Sequence, residues 1–137
     1  MKQPFLLDTC AAIFIVGNRL NQASSDALTQ AWLEGLQTFL SPISAWEVGL
    51  LASRGRFKSP DPPLKWFQRV LDLPNVSLAD LSPRVLLESS LLPGSPPRDP
   101  ADRIIAATAR EFSFTVMTRD RALLGYAKEG YLSAIAC

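Results

Sequence analysis

Two short apolar runs punctuate the chain: Phe5 to Leu7, which ends at Asp8, and Phe114 to Met117, which ends at Thr118-Arg119-Asp120. Apolar runs of this length, closed off by polar residues, suit strands buried on both faces of a parallel sheet. Weaker runs at Thr38 to Leu40, Val76 to Leu78 and Leu132 to Ile135 predict further strands. Between them lie helical patterns over Ala11 to Asn18, Ser24 to Leu36, Ser44 to Ser53, Pro63 to Leu71, Pro83 to Leu91, Pro100 to Phe112 and Arg121 to Lys128. Strands alternating with helices predict a three-layer α/β/α sandwich around a mostly parallel sheet of four to five strands. Pro60, Pro62 and Pro63, and later Pro93-Gly94-Ser95-Pro96-Pro97, mark exposed loops, because proline at this density continues neither a helix nor an inner strand.

Composition narrows the chemistry. At 137 residues and 47% hydrophobic content, one domain spanning 1–137 is expected to bury its own core. Cys10 and Cys137 form no spaced framework and read as reduced thiols. No apolar stretch at the start is long enough for a signal peptide or a membrane span, so a cytoplasmic protein with no membrane contact is expected. The formal charge of +1 means that any contact with phosphates comes from a local patch. The chain has no histidine, which excludes Ser-His and Cys-His nucleophiles, histidine acid–base pairs and His-rich zinc sites.

Carboxylates are the remaining candidates. Asp8 follows the first strand directly, and in parallel α/β sheets ligands bind at the carboxyl ends of strands. Asp8 or Thr9 could equally cap the next helix. Ser44-Ala45-Trp46-Glu47 has the spacing of a capping box, in which serine bonds the glutamate N–H and the glutamate reaches back. Asp99 reads as an N-cap, with Pro100 at the first helical position and Asp102 in the first turn. Asp120 again stands where a strand hands over to a helix. Capping explains each acid separately but does not require convergence, whereas the strand ends of a parallel sheet share one edge. A pocket of three or four carboxylates without histidine or thiolate suits hard cations such as Mg²⁺ or Mn²⁺. Phosphodiester hydrolysis is the reaction that best uses such a site.

Four blocks in order carry a resemblance: Phe5-Leu6-Leu7-Asp8-Thr9; Leu40 to Val48, including Ser44-Ala45-Trp46-Glu47; Arg98-Asp99-Pro100-Ala101-Asp102-Arg103-Ile104-Ile105-Ala106-Ala107; and Val116-Met117-Thr118-Arg119-Asp120. Over nearly its full length the chain resembles the PIN domains, and among them the VapC toxins of bacterial toxin–antitoxin pairs. The resemblance implies a metal site formed by Asp8, Glu47, Asp102 and Asp120, with Asp99 a secondary candidate. It also implies Mg²⁺ or Mn²⁺ dependence, RNA cleavage, inhibition by a cognate antitoxin and a homodimer. Thr9 and Thr118 are accessory candidates that either orient a carboxylate or cap a helix. Histidine often precedes Arg-Asp-Pro in the closest subgroup, where this chain has Pro97, so any accessory role of that histidine is missing.

Arg54, Arg56 and Lys58 form a basic cluster, and Arg98, Arg103, Arg119 and Arg121 lie beside the proposed acids. Of these, Arg103 and Arg119 are the preferred RNA-binding candidates, against the ordinary reading of surface cations. Trp46 is expected in the core rather than stacked on a base, and Trp66 with Phe67 is a candidate interface. Two other functions stay open: a catalytically silent PIN-like scaffold, and a Mg²⁺-binding signalling receiver. The receiver pattern needs paired acids after the first strand, where Asp8 is followed by Thr9 and Cys10. A DNA-directed nuclease is also compatible with the metal chemistry.

Overall fold

Side chains alternate across a strand, so neighbours in β1 go to opposite faces of the sheet. Leu7 packs into one core with Leu40 and Met117, and Leu6 into another with Val116. The computed structural model describes residues 3–137. In chain order they form β1 (Phe5–Leu7), α1 (Thr9–Val16), α2 (Gln22–Leu33), β2 (Thr38–Leu40), α3 (Ile43–Ser53), α4 (Pro63–Leu71), β3 (Val76–Leu78), α5 (Pro83–Ser89), α6 (Pro100–Phe112), β4 (Thr115–Thr118), α7 (Arg121–Lys128) and β5 (Ser133–Ala136). The strands make one parallel sheet in the order β3-β2-β1-β4-β5. The three-layer α/β/α expectation therefore holds.

The first core gathers Leu28 of α2, Val48 of α3, and Trp66 and Val70 of α4; the second gathers Ile105 and Ala106 of α6 with Leu123 and Tyr126 of α7. Winding runs outward from β1 to β3, then returns to place β4 on the other side of β1. The sheet thus has its switch point between β1 and β4, where the chain leaves in opposite directions and opens a crevice at the carboxyl edge. Asp8 emerges there from β1, and Thr118 to Asp120 emerge from β4.

Boundaries moved where caps and partners outweigh local pattern. α1 begins at Thr9 rather than Ala11 because Asp8 caps it, its Oδ1 accepting from Ala11 N at 2.8 Å. α5 stops at Ser89 rather than Leu91, with Ser90 as its C-cap. β4 starts one residue later than the apolar run: Ser113 takes the left-handed conformation (φ 57°), and Phe114 N donates to Ala109 O, so Phe114 belongs to the end of α6. Thr115 N then joins the sheet by donating to Pro4 O at 2.9 Å. No helix among the described residues is long and apolar enough to cross a membrane.

Candidate active site

Asp8 extends the sheet by one bond, its N donating to Met117 O at 3.2 Å, before the chain turns into α1. The residue is only 4% exposed. Its Oδ2 accepts a short hydrogen bond from the Thr118 hydroxyl, and the same hydroxyl oxygen accepts from Asp120 N at 2.9 Å. Thr118, fully buried at the end of β4, thereby ties the loops after two adjacent strands together. Asp120 also caps α7, its Oδ2 accepting from Leu123 N at 3.4 Å.

On the other side of the crevice, α3 starts without a side-chain cap; Pro42 is its N-cap residue. Ser44 and Glu47 do not form the capping box. Glu47 instead accepts from the Thr9 hydroxyl at 2.5 Å, and Ser44 Oγ lies 2.9 Å from that hydroxyl. Ser44 is fully buried in this contact. Its part was hidden in the sequence because the box spacing offered a sufficient local explanation.

The α6 terminus completes the group. Asp99 caps it, accepting from Ala101 N at 3.3 Å, and Asp102 in its first turn hydrogen-bonds to Asp120. A bond between two carboxyl groups needs a proton, and the Asp102 carboxyl is pushed up to about 8 by burial first, then by that shared proton and the charges of Asp120, Asp99 and Glu47. Burial also raises Asp8, against the lowering effect of its bonds to Thr118 and Ala11 N, and the charge of Asp120 adds to the rise. Glu47 is raised by burial, partly offset by Thr9, with Asp99, Asp8 and Asp120 contributing. Five acids from four separate segments therefore sense one another.

Among the described residues, no three acidic or thiol side chains stand as a ready ligand set around one ion. The oxygens are engaged in the bonds to Thr118, Ala11 N, Thr9 and Asp120 instead. The donor chemistry still fits a hard divalent cation: the donors are carboxylate oxygens, histidine is absent, and their mutual repulsion is relieved by a proton that a cation could replace. The Cys10 thiol is held up to about 11 by desolvation, then by Asp8, Glu47 and Asp102, so it stays protonated beside the acids.

The PIN domain profile matches residues 5–129. The chain belongs to the PIN-domain family. Ribonuclease VapC22 of Mycobacterium tuberculosis strain H37Rv is 35% identical over 105 residues, which cover 77% of this chain and 76% of that protein. Two solved structures share the PIN fold across 98% of both chains: VapBC2 from Rickettsia felis bound to a fragment of promoter DNA (14% identity, TM-score 0.67) and DNA-bound VapBC from Salmonella typhimurium (17% identity, TM-score 0.65).

Other expected residues lie elsewhere in this PIN domain. Arg103 is half-buried: Nε donates to Ser89 O and Nη1 to Pro97 O, both at 3.0 Å, fastening the loop between α5 and α6. Arg119 donates through Nε to Cys137 O at 2.5 Å and through Nη2 to Arg19 O at 3.3 Å, and its guanidinium lies 4.0 Å from the Phe14 ring centre. Both guanidiniums are drawn to backbone carbonyls outside their own elements. Trp46, expected in the core, is 52% exposed, because the inward face of α3 presents Ser44 and Val48. Trp66, expected at a surface, is 3% exposed and packs edge-on against Phe57, centres 5.5 Å apart.

Proposed function

We propose that this PIN domain is a divalent-cation-dependent endoribonuclease and the toxin of a toxin–antitoxin pair. The observation that carries the reading is the mutual electrostatic influence of Asp8, Glu47, Asp99, Asp102 and Asp120 beside the crevice between β1 and β4. The similarity to Ribonuclease VapC22 supports RNA as the substrate class, and the shared fold with the toxin chains of VapBC complexes supports an antitoxin partner. A cytoplasmic homodimer fits the same reading; Leu87 and Leu91, 68% and 79% exposed, offer it an apolar face.

In this reading Asp8, Glu47, Asp102 and Asp120 hold Mg²⁺ or Mn²⁺. The bound cation supplies charge neutralisation at phosphorus, a more acidic water and stabilisation of the departing alkoxide. Thr118 aims Asp8 and Thr9 aims Glu47, each by donating its hydroxyl proton to a carboxylate oxygen. Asp102 gives up its proton on loading, and the four acids then present oxygens to one crevice.

Incubation of wild type and Asp8→Asn with single-stranded RNA and with DNA, in Mn²⁺, Mg²⁺ or chelator, tests the proposal. Metal-dependent cleavage of RNA by the wild type and not by the variant is expected. The capping bonds of Asp8, Asp99 and Asp120 favour a silent scaffold as the competing reading. Absence of cleavage together with absence of Mn²⁺ binding would establish it.

A further inference from the structure

A cleft of about 410 Å³ opens between α1, α3 and the loop before α4. Its placement relative to the acids follows from helix geometry. Ile13 stands four residues after Thr9 on α1, and Leu51 four residues after Glu47 on α3; both line the cleft. Thr9 and Glu47 touch each other across the crevice. Residues four apart share a helix face, so the cleft continues the same α1–α3 seam about 6 Å, just over one turn, beyond the acids.

The lining changes character along that seam, from carboxylates to cations. Arg19, Arg56 and Lys58 border the cleft, and among the described residues none of the three has an ion-pair partner. Asp61, the one acid in the lining, is already paired with Lys65 and with Arg69 at 3.2 Å. The floor is apolar: Phe57 braced edge-on by Trp66, beside Ile13 and Leu51. The rim is tied to the catalytic edge, because Arg119, next to Asp120, donates to Arg19 O, and both guanidiniums lie against the Phe14 ring, 5.0 Å from its centre for Arg19 and 4.0 Å for Arg119. An apolar floor with an aromatic ring under a rim of unpaired cations is the design that holds single-stranded nucleic acid, with bases on the floor and phosphates at the rim.

We infer that this cleft is the subsite for the RNA strand flanking the scissile phosphate, with Arg19, Arg56 and Lys58 as its phosphate contacts. The inference rests on the ribonuclease reading and adds where the substrate lies. Arg103, engaged by two backbone carbonyls, then acts as a structural tie, while Arg119, itself exposed, joins the rim to the strand-end acids through Arg19 O.

The test uses the full chain in chelator, with binding of a fluorescein-labelled oligouridylate followed by anisotropy over a range of salt. Arg56→Glu with Lys58→Glu is compared with wild type and with Arg84→Glu plus Lys128→Glu, which makes the same charge change on α5 and α7. Loss of two phosphate contacts predicts on the order of tenfold weaker binding at low salt and a log–log salt slope flatter by about 1.4. The α5/α7 control should keep most of the wild-type affinity. Thermal melting of each variant near the wild-type temperature excludes misfolding as the cause. Unchanged affinity and slope in the cleft variant, or an equal loss in the control, would overturn the inference. Wild type that cleaves long RNA in Mn²⁺ without binding oligouridylate would overturn the subsite alone, whereas wild type that neither binds nor cleaves any RNA would remove the ribonuclease reading beneath it.

Discussion

Thr118→Val isolates the bond that joins the two halves of the crevice. Valine matches threonine in shape and suits a strand, so the packing around a fully buried side chain is kept and only the hydroxyl goes. Two interactions are lost: the donor to Asp8 Oδ2 and the acceptor for Asp120 N. A hydrogen bond to a charged group contributes about 1.5–3 kcal/mol, and an unpaired buried donor costs about 1–3 kcal/mol. Asp8 is nearly sealed from water, which blocks compensation there, while the Asp120 loop is half-buried and recovers part of its loss. A net destabilisation of about 2–3 kcal/mol follows, or roughly 6–10 °C in Tm for a chain of this size. Because the Thr118 bond favours the ionised form of Asp8, the penalty should be larger at alkaline than at acidic pH. Thermal melts of wild type, Thr118→Val and Thr118→Ser across pH provide the assay, with serine expected to restore most of the loss. Melting of Thr118→Val at the wild-type temperature, or a serine variant no better than valine, would refute the role given to this hydroxyl.

Further predictions concern charge and packing. Asp102 is raised from 3.8 to about 8, so the folded metal-free protein holds a proton that the unfolded chain releases; this contribution is fully present below pH 3.8 and is lost as pH rises towards 8. Melts in chelator should show Asp102→Asn flattening that decline, and an unchanged slope in the variant would contradict the assignment. Arg103→Met should cost about 1–3 kcal/mol and open the loop around Pro93 to protease, because Ser89 O and Pro97 O lose their donors, while oligouridylate affinity stays within twofold, on the order of error. Limited proteolysis beside anisotropy checks both halves. Trp66→Ala should destabilise by about 3–5 kcal/mol and Trp46→Ala by less than about 1 kcal/mol, as denaturant titration would report.

Where sequence reasoning succeeded, local chemistry and tertiary placement agreed. Pro63, Pro100 and Arg121 open helices where the pattern predicts, because proline at the first turn and an acidic cap act within a few residues. The strand order was not readable in detail, yet alternation of short apolar runs with helices was enough for a parallel sheet. At the site, cap and crevice are not exclusive: one oxygen of Asp8 caps α1 while the other meets Thr118, and Asp120 caps α7 beside them. For Glu47 the capping box fails because α3 already starts at Ile43 and Ser44 N donates to Ser41 O, which leaves Glu47 to meet Thr9. Arg103 and Arg119 make contacts that the sequence does not show. Long side chains reach carbonyls set by the fold, here at Ser89, Pro97 and Cys137, and adjacency to an acid in sequence does not aim them at substrate. Trp46 shows the limit of hydrophobic patterning on a helix that is apolar almost all round, where the buried face cannot be read off one turn.

Calorimetric titration with Mn²⁺ in two buffers of different ionisation enthalpy reports whether the acids at the β1–β4 crevice form one cation site. Saturable binding to wild type is expected, with proton release below about pH 8 as Asp102 gives up its proton, and with its loss in Asp8→Asn. Equal binding by wild type and Asp8→Asn, or no binding to either, would contradict it.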